Sequence, residues 1–291
     1  EERRVKVLLI GATGMLGRAF REELTRREIA FVAAGRDRVD LLTGGSGQVG
    51  ASVDSLLAQH ACDTLINCAA WTDVDGAETQ EAAATRVNGD AVREMTQSCA
   101  RRNTLFVNFG TDYVFSGVAA SPYSTTQPRE PLNAYGRSKA AGETALEQLD
   151  TKQWLHIRTS WLYAPWGKNF VRTIRSLLLS KPSIKVVNDQ RGRPTSSEHL
   201  ARTTLGMLAN GSRGVQHATD GGECTWFEFA QEIGRLASAN GQVLACTSDE
   251  FPRPAKRPAY SVLDISHTEK LVGPMTPWRT ALADVMGRIE T

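Results

Sequence analysis

The fold is decided near the start of the chain by residues 5–17, which read Val5-Lys-Val-Leu-Leu-Ile-Gly11-Ala-Thr-Gly14-Met-Leu-Gly17. A mostly apolar strand ends just before the first glycine, and a helical pattern follows the turn. Gly11 permits a tight turn, Gly14 lets a pyrophosphate approach the backbone, and Gly17 lets the helix pack closely on a sheet. The amides at the start of the helix, around Met15 and Leu16, attract an anion. The motif therefore predicts a dinucleotide-binding turn rather than a plain glycine-rich turn.

Short apolar runs alternate with helical patterns through the first 160 residues. The runs of strand length lie at 5–10, 29–34, 64–68, 104–109 and 154–159, and the helical patterns lie at 16–27, 80–101 and 135–149. Apolar strands that alternate with helices are typical of a parallel sheet covered on both faces. We therefore predict an α/β fold, a Rossmann-like doubly wound parallel sheet.

The pattern becomes less regular after about residue 160, where prolines and glycines divide the chain into shorter elements. The clearest late helix begins near Thr225-Trp-Phe-Glu228, which has the spacing of a capping box. We expect residues 1–160 to form the cofactor-binding domain and residues 161–291 a smaller, mixed substrate-binding region. Segments near 188–220 are expected to return to the first domain.

Composition excludes several classes of function. The 291 residues include 34 basic and 32 acidic side chains, a formal charge of +2, and no basic stripe that would indicate a nucleic-acid partner. No apolar run approaches the roughly 18 residues of a membrane span, and no secretory signal pattern is visible. Five scattered cysteines fit a reducing compartment better than a disulfide framework or a zinc site. We expect a cytoplasmic protein without a membrane partner.

The end of the second apolar run bears on the choice of cofactor. An acidic residue at this point accepts a hydrogen bond from the ribose 2′-hydroxyl, whereas an arginine pairs with a 2′-phosphate. The sequence here is Gly35-Arg36-Asp37-Arg38, followed by Asp40 and Leu41 as candidates for the adenine edge. Arg36, with Arg38 near enough to assist, favours NADPH, with NADH as the alternative cofactor. The other interpretation of Arg36 is a surface residue at a strand end.

A phenol and an ammonium group lie one helical turn apart in Tyr135-Gly-Arg-Ser-Lys139. An unperturbed tyrosine has a pKa of about 10, and a neighbouring cation should lower that pKa and make the phenol a usable general acid or base. A Tyr-x-x-x-Lys pattern also occurs by chance. Thr111, however, follows the fourth apolar run, at the edge where parallel sheets place their chemistry.

Thr111, Tyr135 and Lys139 resemble the Ser/Thr–Tyr–Lys triad of the extended short-chain dehydrogenases/reductases. More specific motifs resemble the dTDP-4-dehydrorhamnose reductase family, and the matches run from Gly11 nearly to the end of the chain. These motifs are Thr111-Asp-Tyr-Val-Phe115, Pro131-x-x-x-Tyr135-Gly-x-Ser-Lys139-x-x-Gly142-Glu143, Arg158-Thr-Ser-Trp161-x-Tyr163, Asn169-Phe170, Asp189-Gln190-x-Gly192-x-Pro194-Thr195, Arg257-Pro258-x-x-Ser261-x-Leu263 and Pro277-Trp278.

The resemblance implies reduction of the 4-keto group of a dTDP-linked 6-deoxyhexose. The first candidate reaction is the reduction of dTDP-4-dehydrorhamnose to dTDP-L-rhamnose. It implies that Tyr135 donates the proton, that Thr111 tunes the reacting oxygen and that Lys139 also binds the cofactor ribose. Asp112 and Trp161 match positions that contact the sugar nucleotide, as does Thr111. The cofactor-contacting positions include Tyr135 and, after the third run, Ala70, Trp71 and Thr72.

The chain departs from the family pattern at several positions. Gly110 precedes Thr111 where the family commonly has Ser, and Trp71 and Asp73 replace residues that are often smaller or less charged beside the substrate pocket. Ala19 stands where some relatives carry a Glu that binds magnesium at a dimer interface. We therefore predict no metal site, and a homodimer stays an open alternative.

Two other functions remain under consideration. One is 4-keto reduction of a different nucleotide deoxysugar, for instance in antibiotic sugar biosynthesis. The other is a non-catalytic regulatory subunit of the same fold. A relative of this family serves as such a subunit of methionine adenosyltransferase. The intact Thr111, Tyr135 and Lys139 weigh against a purely regulatory subunit, which has no need of them.

Overall fold

A six-stranded parallel sheet forms the centre of the structure, a computed structural model that describes residues 5–149 and 151–289. In chain order the strands are β1 (Lys6–Ile10), β2 (Ala30–Ala34), β3 (Thr64–Asn67), β4 (Leu105–Thr111), β5 (Trp154–Thr159), β6 (Leu162–Tyr163), β7 (Ser183–Val187), β8 (Arg191–Gly192), β9 (Thr195–Ser196), β10 (Gly214–His217), β11 (Cys224–Thr225) and β12 (Gln242–Cys246). The order across the large sheet is β10-β5-β4-β3-β1-β2. The strands up to β2 are added on one side of β1, and those from β3 onward are added on the other side. At such a switch point a crevice opens at the carboxyl ends of the strands. The prediction of a Rossmann-like doubly wound parallel sheet is confirmed.

Helices cover both faces of this sheet. They are α1 (Met15–Arg26), α2 (Gln48–His60), α3 (Val74–Thr79), α4 (Glu81–Thr85), α5 (Ala91–Arg101), α6 (Ala134–Glu147), α7 (Phe170–Ser180), α8 (Ser197–Ala209), α9 (Trp226–Leu236), α10 (Ser266–Val272) and α11 (Trp278–Met286). Along β1, Val7 and Leu9 pack with Phe20 of α1, whereas Leu8 and Ile10 pack in the opposite core, which α2 also lines. A strand that is buried on both faces needs this unbroken apolar sequence.

The later part of the chain builds its own core and also returns to the large sheet. Phe229 of α9 is buried with Tyr163 and Trp278 in a separate cluster, flanked by the two-stranded pairs β7–β12 and β8–β11. In contrast, α8 packs beside α1 and β10 pairs with β5. The predicted division near residue 160 stays a prediction, and its residues 1–4, 150, 290 and 291 lie outside the described residues.

The structure differs from the sequence predictions in several elements. The sequence analysis missed α2 and α3, and the predicted helix at 80–101 is interrupted by a π-helical turn, Arg86–Asp90. Strand β4 continues two residues further than predicted, because Gly110 and Thr111 still pair with β5. Within the described residues, no helix is long and apolar enough to cross a membrane.

Candidate active site

A cavity of about 920 Å³ lies at the carboxyl ends of the large sheet. Its wall is built from the turn after β1, the ends of β2, β3 and β4, the start of α6 and the loop after β5. Of the predicted site residues, the following line it: Gly11, Gly14, Met15, Leu16, Arg36, Asp40, Leu41, Ala70, Trp71, Thr72, Thr111, Asp112, Tyr135, Lys139 and Trp161. Gly17 lies behind the turn, inside α1. The cavity therefore brings the predicted cofactor, substrate and catalytic residues to one place.

The glycine turn has no room for side chains at two of its three glycines. Gly11 has a φ of +73°, and a Cβ atom there would lie 2.6 Å from the amide nitrogen of Ala69. A Cβ atom at Gly17 would collide with the carbonyl oxygen of Gly11. Gly14 is the N-cap of α1 and supplies no side-chain cap, so the first amides of the helix face the cavity uncapped. This geometry suits an anionic group such as a pyrophosphate.

The loop that leads into α7 closes over this turn. The Trp166 indole donates a hydrogen bond to the carbonyl oxygen of Met15 (3.0 Å), and the Arg18 guanidinium lies 4.2 Å from the centre of the Trp166 ring. Lys168 and Asn169, in the same loop, also line the cavity. The later part of the chain thus contacts the helix start where a dinucleotide would bind.

At the end of β2, the exposed Arg36 lines the cavity. Asp40 accepts hydrogen bonds from the Leu42 amide (2.8 Å) and the Thr43 hydroxyl (2.5 Å), contacts that lower the pKa of its carboxyl group. The expectation that Arg38 assists Arg36 stays a prediction, and Arg38 is not among the residues that line the cavity. The Arg38 guanidinium lies instead against the His60 ring, 3.2 Å from Nε2.

The segment after β3 is fixed by Asn88, which lies in the π-helical turn. The Asn88 side chain accepts a hydrogen bond from the Trp71 amide (2.9 Å) and donates to the Trp71 carbonyl (3.1 Å) and to Ser138 (2.9 Å). Asn88 therefore ties the Ala70–Thr72 segment to α6, the helix that carries Tyr135 and Lys139. Asp73 was expected beside the substrate pocket, but its carboxylate caps α3 by accepting from the Gly76 amide (2.9 Å).

Thr111, Tyr135 and Lys139 meet at the cavity because β4 ends where α6 begins. Asn133 caps α6 by accepting a hydrogen bond from the Gly136 amide (2.7 Å), which sets the start of the helix. The Lys139 ammonium is buried and donates to the carbonyl oxygen of Phe109 (2.6 Å). Lys139 therefore reaches β4 across the interface between helix and sheet.

The predicted lowering of the Tyr135 pKa is wrong for this structure. Burial raises the pKa of Tyr135 to about 12, the Asp112 charge acts in the same direction, and the Thr111 hydroxyl acts against both. Burial also lowers the pKa of Lys139 to about 8. At neutral pH the phenol is therefore protonated, which is the state required of a proton donor.

Asp112 is a buried carboxylate at the cavity wall, with 2% of its surface exposed. One of its oxygens accepts a hydrogen bond from the Thr111 hydroxyl (3.1 Å), while Oδ2 has no hydrogen-bond partner among the described residues. Burial raises the pKa of Asp112 to about 7, although Ser261 and Thr111 partly oppose this. An unpaired buried oxygen at a cavity wall is available for the hydroxyl groups of a ligand.

A buried charge cluster behind Thr111 was not found by sequence reasoning. Glu143 accepts two hydrogen bonds from Arg158 (3.0 and 2.7 Å to Nε and Nη2) and lies 3.0 Å from the His156 ring. Gly110 faces this cluster, and a Cβ atom there would collide with His156 and lie 3.0 Å from Glu143. The glycine at this departure from the family pattern is therefore required by the cluster. Glu143 belongs to the Gly142-Glu143 motif, which was the available signal.

Comparison with known proteins agrees with this architecture. In a doubly wound fold, a tyrosine and a lysine one turn apart beside the end of the fourth strand define the class of extended short-chain dehydrogenases/reductases. The family model described as RmlD substrate binding domain matches residues 5–291. The chain belongs to this family, that of the dTDP-4-dehydrorhamnose reductases.

Relatives match over nearly the whole chain. A probable dTDP-4,6-dihydroxy-2-methyloxan-3-one 4-ketoreductase from Streptomyces antibioticus is 41% identical, covering 95% of this chain and 93% of its own. A dTDP-4-dehydrorhamnose reductase from Streptomyces griseus is 38% identical, with 97% and 93% covered. The crystal structure of the dTDP-4-dehydrorhamnose reductase from Bacillus anthracis, in complex with NADP, has a TM-score of 0.90 at 31% identity and covers 97% of this chain and 99% of its own.

Proposed function

We propose that the protein is an NADPH-dependent reductase of the 4-keto group of a dTDP-linked 6-deoxyhexose, with dTDP-4-dehydrorhamnose as substrate and dTDP-L-rhamnose as product. The observation that carries this proposal is the single cavity shared by the glycine turn, the Thr111–Tyr135–Lys139 set and Asp112. Family membership supports it, because relatives that match over nearly the full chain are named as reductases of dTDP sugars.

The residues present fit a nicotinamide dinucleotide. The crowded Gly11 and Gly17 leave backbone alone at the surface of the turn, and the uncapped start of α1 offers amides to a pyrophosphate. Arg36 lies where a 2′-phosphate would arrive, at the end of the second strand. When bound, NADPH would supply a hydride to the sugar carbon. The NADP complex of the Bacillus anthracis relative favours the phosphorylated cofactor.

Tyr135 would act as the proton donor. As the keto oxygen at C4 of the sugar gains negative charge, the neutral phenol transfers its proton to that oxygen. A phenol with a pKa of about 12 keeps its proton until an oxygen of higher basicity, such as a developing alkoxide, is present. Thr111 would turn its hydroxyl from Asp112 to the same oxygen, donate a second hydrogen bond there and so stabilise its developing charge.

Lys139 would act in two ways. Its ammonium is fixed by the Phe109 carbonyl, leaving its other two hydrogens for a ribose hydroxyl. Its charge also stabilises the phenolate that remains after proton transfer, because a buried ammonium interacts strongly at short range. A pKa of about 8 leaves Lys139 largely protonated at neutral pH.

The deciding experiment is turnover of dTDP-4-dehydrorhamnose with NADPH, followed at 340 nm, with the product configuration at C4 read by NMR. We expect dTDP-L-rhamnose. The second candidate is a 4-ketoreductase for an antibiotic sugar, which the 41% identity to the Streptomyces antibioticus relative favours. Faster turnover of dTDP-4-keto-6-deoxy-D-glucose, or the opposite configuration at C4, would support the second candidate. Absence of turnover with both substrates would refute both.

A further inference from the structure

Trp161 lies at the cavity wall in a backbone conformation that is unfavourable for tryptophan. Its φ is +49°, in the left-handed region that bulky side chains rarely adopt. Strain of this kind persists only where surrounding contacts determine it, and it is concentrated at binding and catalytic sites. The contacts that hold Trp161 therefore identify residues that serve the site.

Two residues enclose the Trp161 indole. The ring of Trp226 is stacked on it, with centroids 3.5 Å apart and planes inclined by 10°. Gly192 packs against the indole so closely that a Cβ atom there would lie 2.7 Å from Cε2 and Cζ2. The Trp161 carbonyl also accepts a hydrogen bond from the Thr195 amide (3.2 Å). The indole thus has little freedom to leave its position.

The two enclosing residues are held at a fixed separation by a small sheet. Gly192 belongs to β8, which pairs with β11, and in this register it lies opposite Cys224. Trp226 follows β11 directly as the first residue of α9, whose start is fixed by a capping box between Thr225 and Glu228. Backbone hydrogen bonds therefore fix the space that the Trp161 ring occupies.

Trp226 also lines the cavity, together with Trp161. We propose that Trp226 and Gly192 are positioning residues that hold the Trp161 indole in place to bind the sugar nucleotide. This inference rests on the proposed function, because it takes Trp161 as a contact of the sugar nucleotide. Trp226 acts through Trp161, so its removal should matter only while the Trp161 ring is present.

The test is a double-mutant cycle of wild type, Trp161→Ala, Trp226→Ala and the double variant, measured as KM for dTDP-4-dehydrorhamnose. Well-placed aromatic pairs contribute about 1 kcal/mol beyond burial, so we expect each single variant to raise KM at least about fivefold. The double variant should then be no worse than Trp161→Ala, and kcat and the KM for NADPH should change little. Independent, additive effects of the two substitutions would overturn the inference.

Matched substitutions separate positioning from folding. Trp226→Phe should restore most of the affinity that Trp226→Ala loses, because a phenyl ring can still stack. Gly192→Ala should raise KM by displacing the indole, whereas Gly287→Ala is the control. Gly287 has a φ of −64°, and a Cβ atom there would meet nothing closer than 3.6 Å. If Trp226→Ala lowers the melting temperature but leaves KM within twofold of wild type, Trp226 serves the core alone.

Two readouts need no turnover. Stacked indoles couple their transitions, so the circular dichroism couplet near 230 nm should vanish in Trp226→Phe but persist in Trp154→Phe, at the far end of β5. If the couplet persists in Trp226→Phe, the stacking of Trp226 on Trp161 is not its source, and the inference is overturned. If the wild type reduces no dTDP sugar, the proposed function fails, and calorimetric Kd values for dTDP-glucose in the four proteins of the cycle still decide the inference.

Discussion

Replacing Glu143 by Gln tests the buried charge cluster, because it removes the negative charge while keeping the shape of the side chain. Glu143, His156 and Arg158 are each 1% exposed. Burial alone would raise the pKa of Glu143, but the contacts with His156 and Arg158 hold that pKa well below its usual range. In the variant, the Arg158 guanidinium would be left buried without its carboxylate.

The expected cost follows from that burial. Removing one partner of a buried ion pair destabilises a protein by about 3–5 kcal/mol. At about 2–4 °C per kcal/mol for a chain of this size class, the melting temperature should fall by about 6–20 °C. A loss of this size is a large fraction of a typical unfolding free energy of about 5–15 kcal/mol.

The assay is thermal unfolding at pH 7.5, followed by circular dichroism, with Glu147→Gln as the matched control. Glu147 pairs with Arg129 (2.7 Å), which also contacts Glu143, but the Glu147 side chain is 40% exposed. Exposed pairs contribute about 0–1 kcal/mol, so the control should lose no more than about 4 °C. A fall in Glu143→Gln no larger than in Glu147→Gln would refute the reasoning.

The pH dependence provides a second check on the same variant. A carboxylate whose folded pKa is lowered stabilises the folded state above its ordinary pKa of 4.5, and the stabilisation is lost as pH falls through the folded value. The difference between wild type and Glu143→Gln should therefore be constant from pH 7 to 8, above the ordinary pKa of the neighbouring His156, and shrink below pH 4.5. A difference that grows below pH 4.5 would contradict the assignment.

Three further expectations concern the cavity. Tyr135→Phe should lower kcat by about 10²–10⁴-fold with NADPH affinity nearly unchanged, and more than a tenth of wild-type turnover would contradict its role as proton donor. Asp112→Asn should raise the melting temperature while lowering activity. Because the folded pKa is raised from 3.8 to about 7, ionised Asp112 destabilises the fold increasingly from pH 4 to 7 and constantly above, so the gain should be larger at pH 8 than at pH 5; a gain independent of pH would be evidence against that pKa. Arg36→Ala should raise the KM for NADPH about tenfold and leave the KM for NADH unchanged. The effect is no larger because a charge-assisted hydrogen bond at an exposed site contributes a binding free energy at the weaker end of the range for such bonds. Equal use of both cofactors by both proteins would make Arg36 a surface residue.

The sequence predicted those features that depend on local pattern. The strand-turn-helix at Gly11 is visible because the glycines have no room for side chains, and the i, i+4 spacing of Tyr135 and Lys139 follows from helix geometry. The helix α2 was predictable in principle, because Val49, Val53 and Leu56 are buried at helical spacing. The four glycine and serine residues before it are typical of a loop rather than of a helix start.

Other features depend on contacts between distant residues. The π-helical turn at Asn88 forms where this side chain bonds to both sides of Trp71, 17 residues earlier, and no periodicity in the sequence reveals it. The raised pKa of Tyr135 has the same origin, because burial by surrounding elements raises it more than the Thr111 hydroxyl lowers it. Trp226 is prominent in the sequence only as part of a capping box, although it stacks on a residue 65 positions earlier.

Strand β10, the last strand to join the large sheet, also determines the order in which the protein can assemble on the ribosome. Arg158 of β5 and its neighbour His217 of β10 are separated by 59 residues. At typical rates of synthesis of about 5–20 residues per second, β5 remains an unpaired edge for roughly 3–12 s after it emerges. During that interval its open backbone groups and its charged residues are exposed to other chains. We therefore expect the pace of translation and the availability of chaperones over these residues to affect the yield of folded enzyme, independently of any residue in the active site.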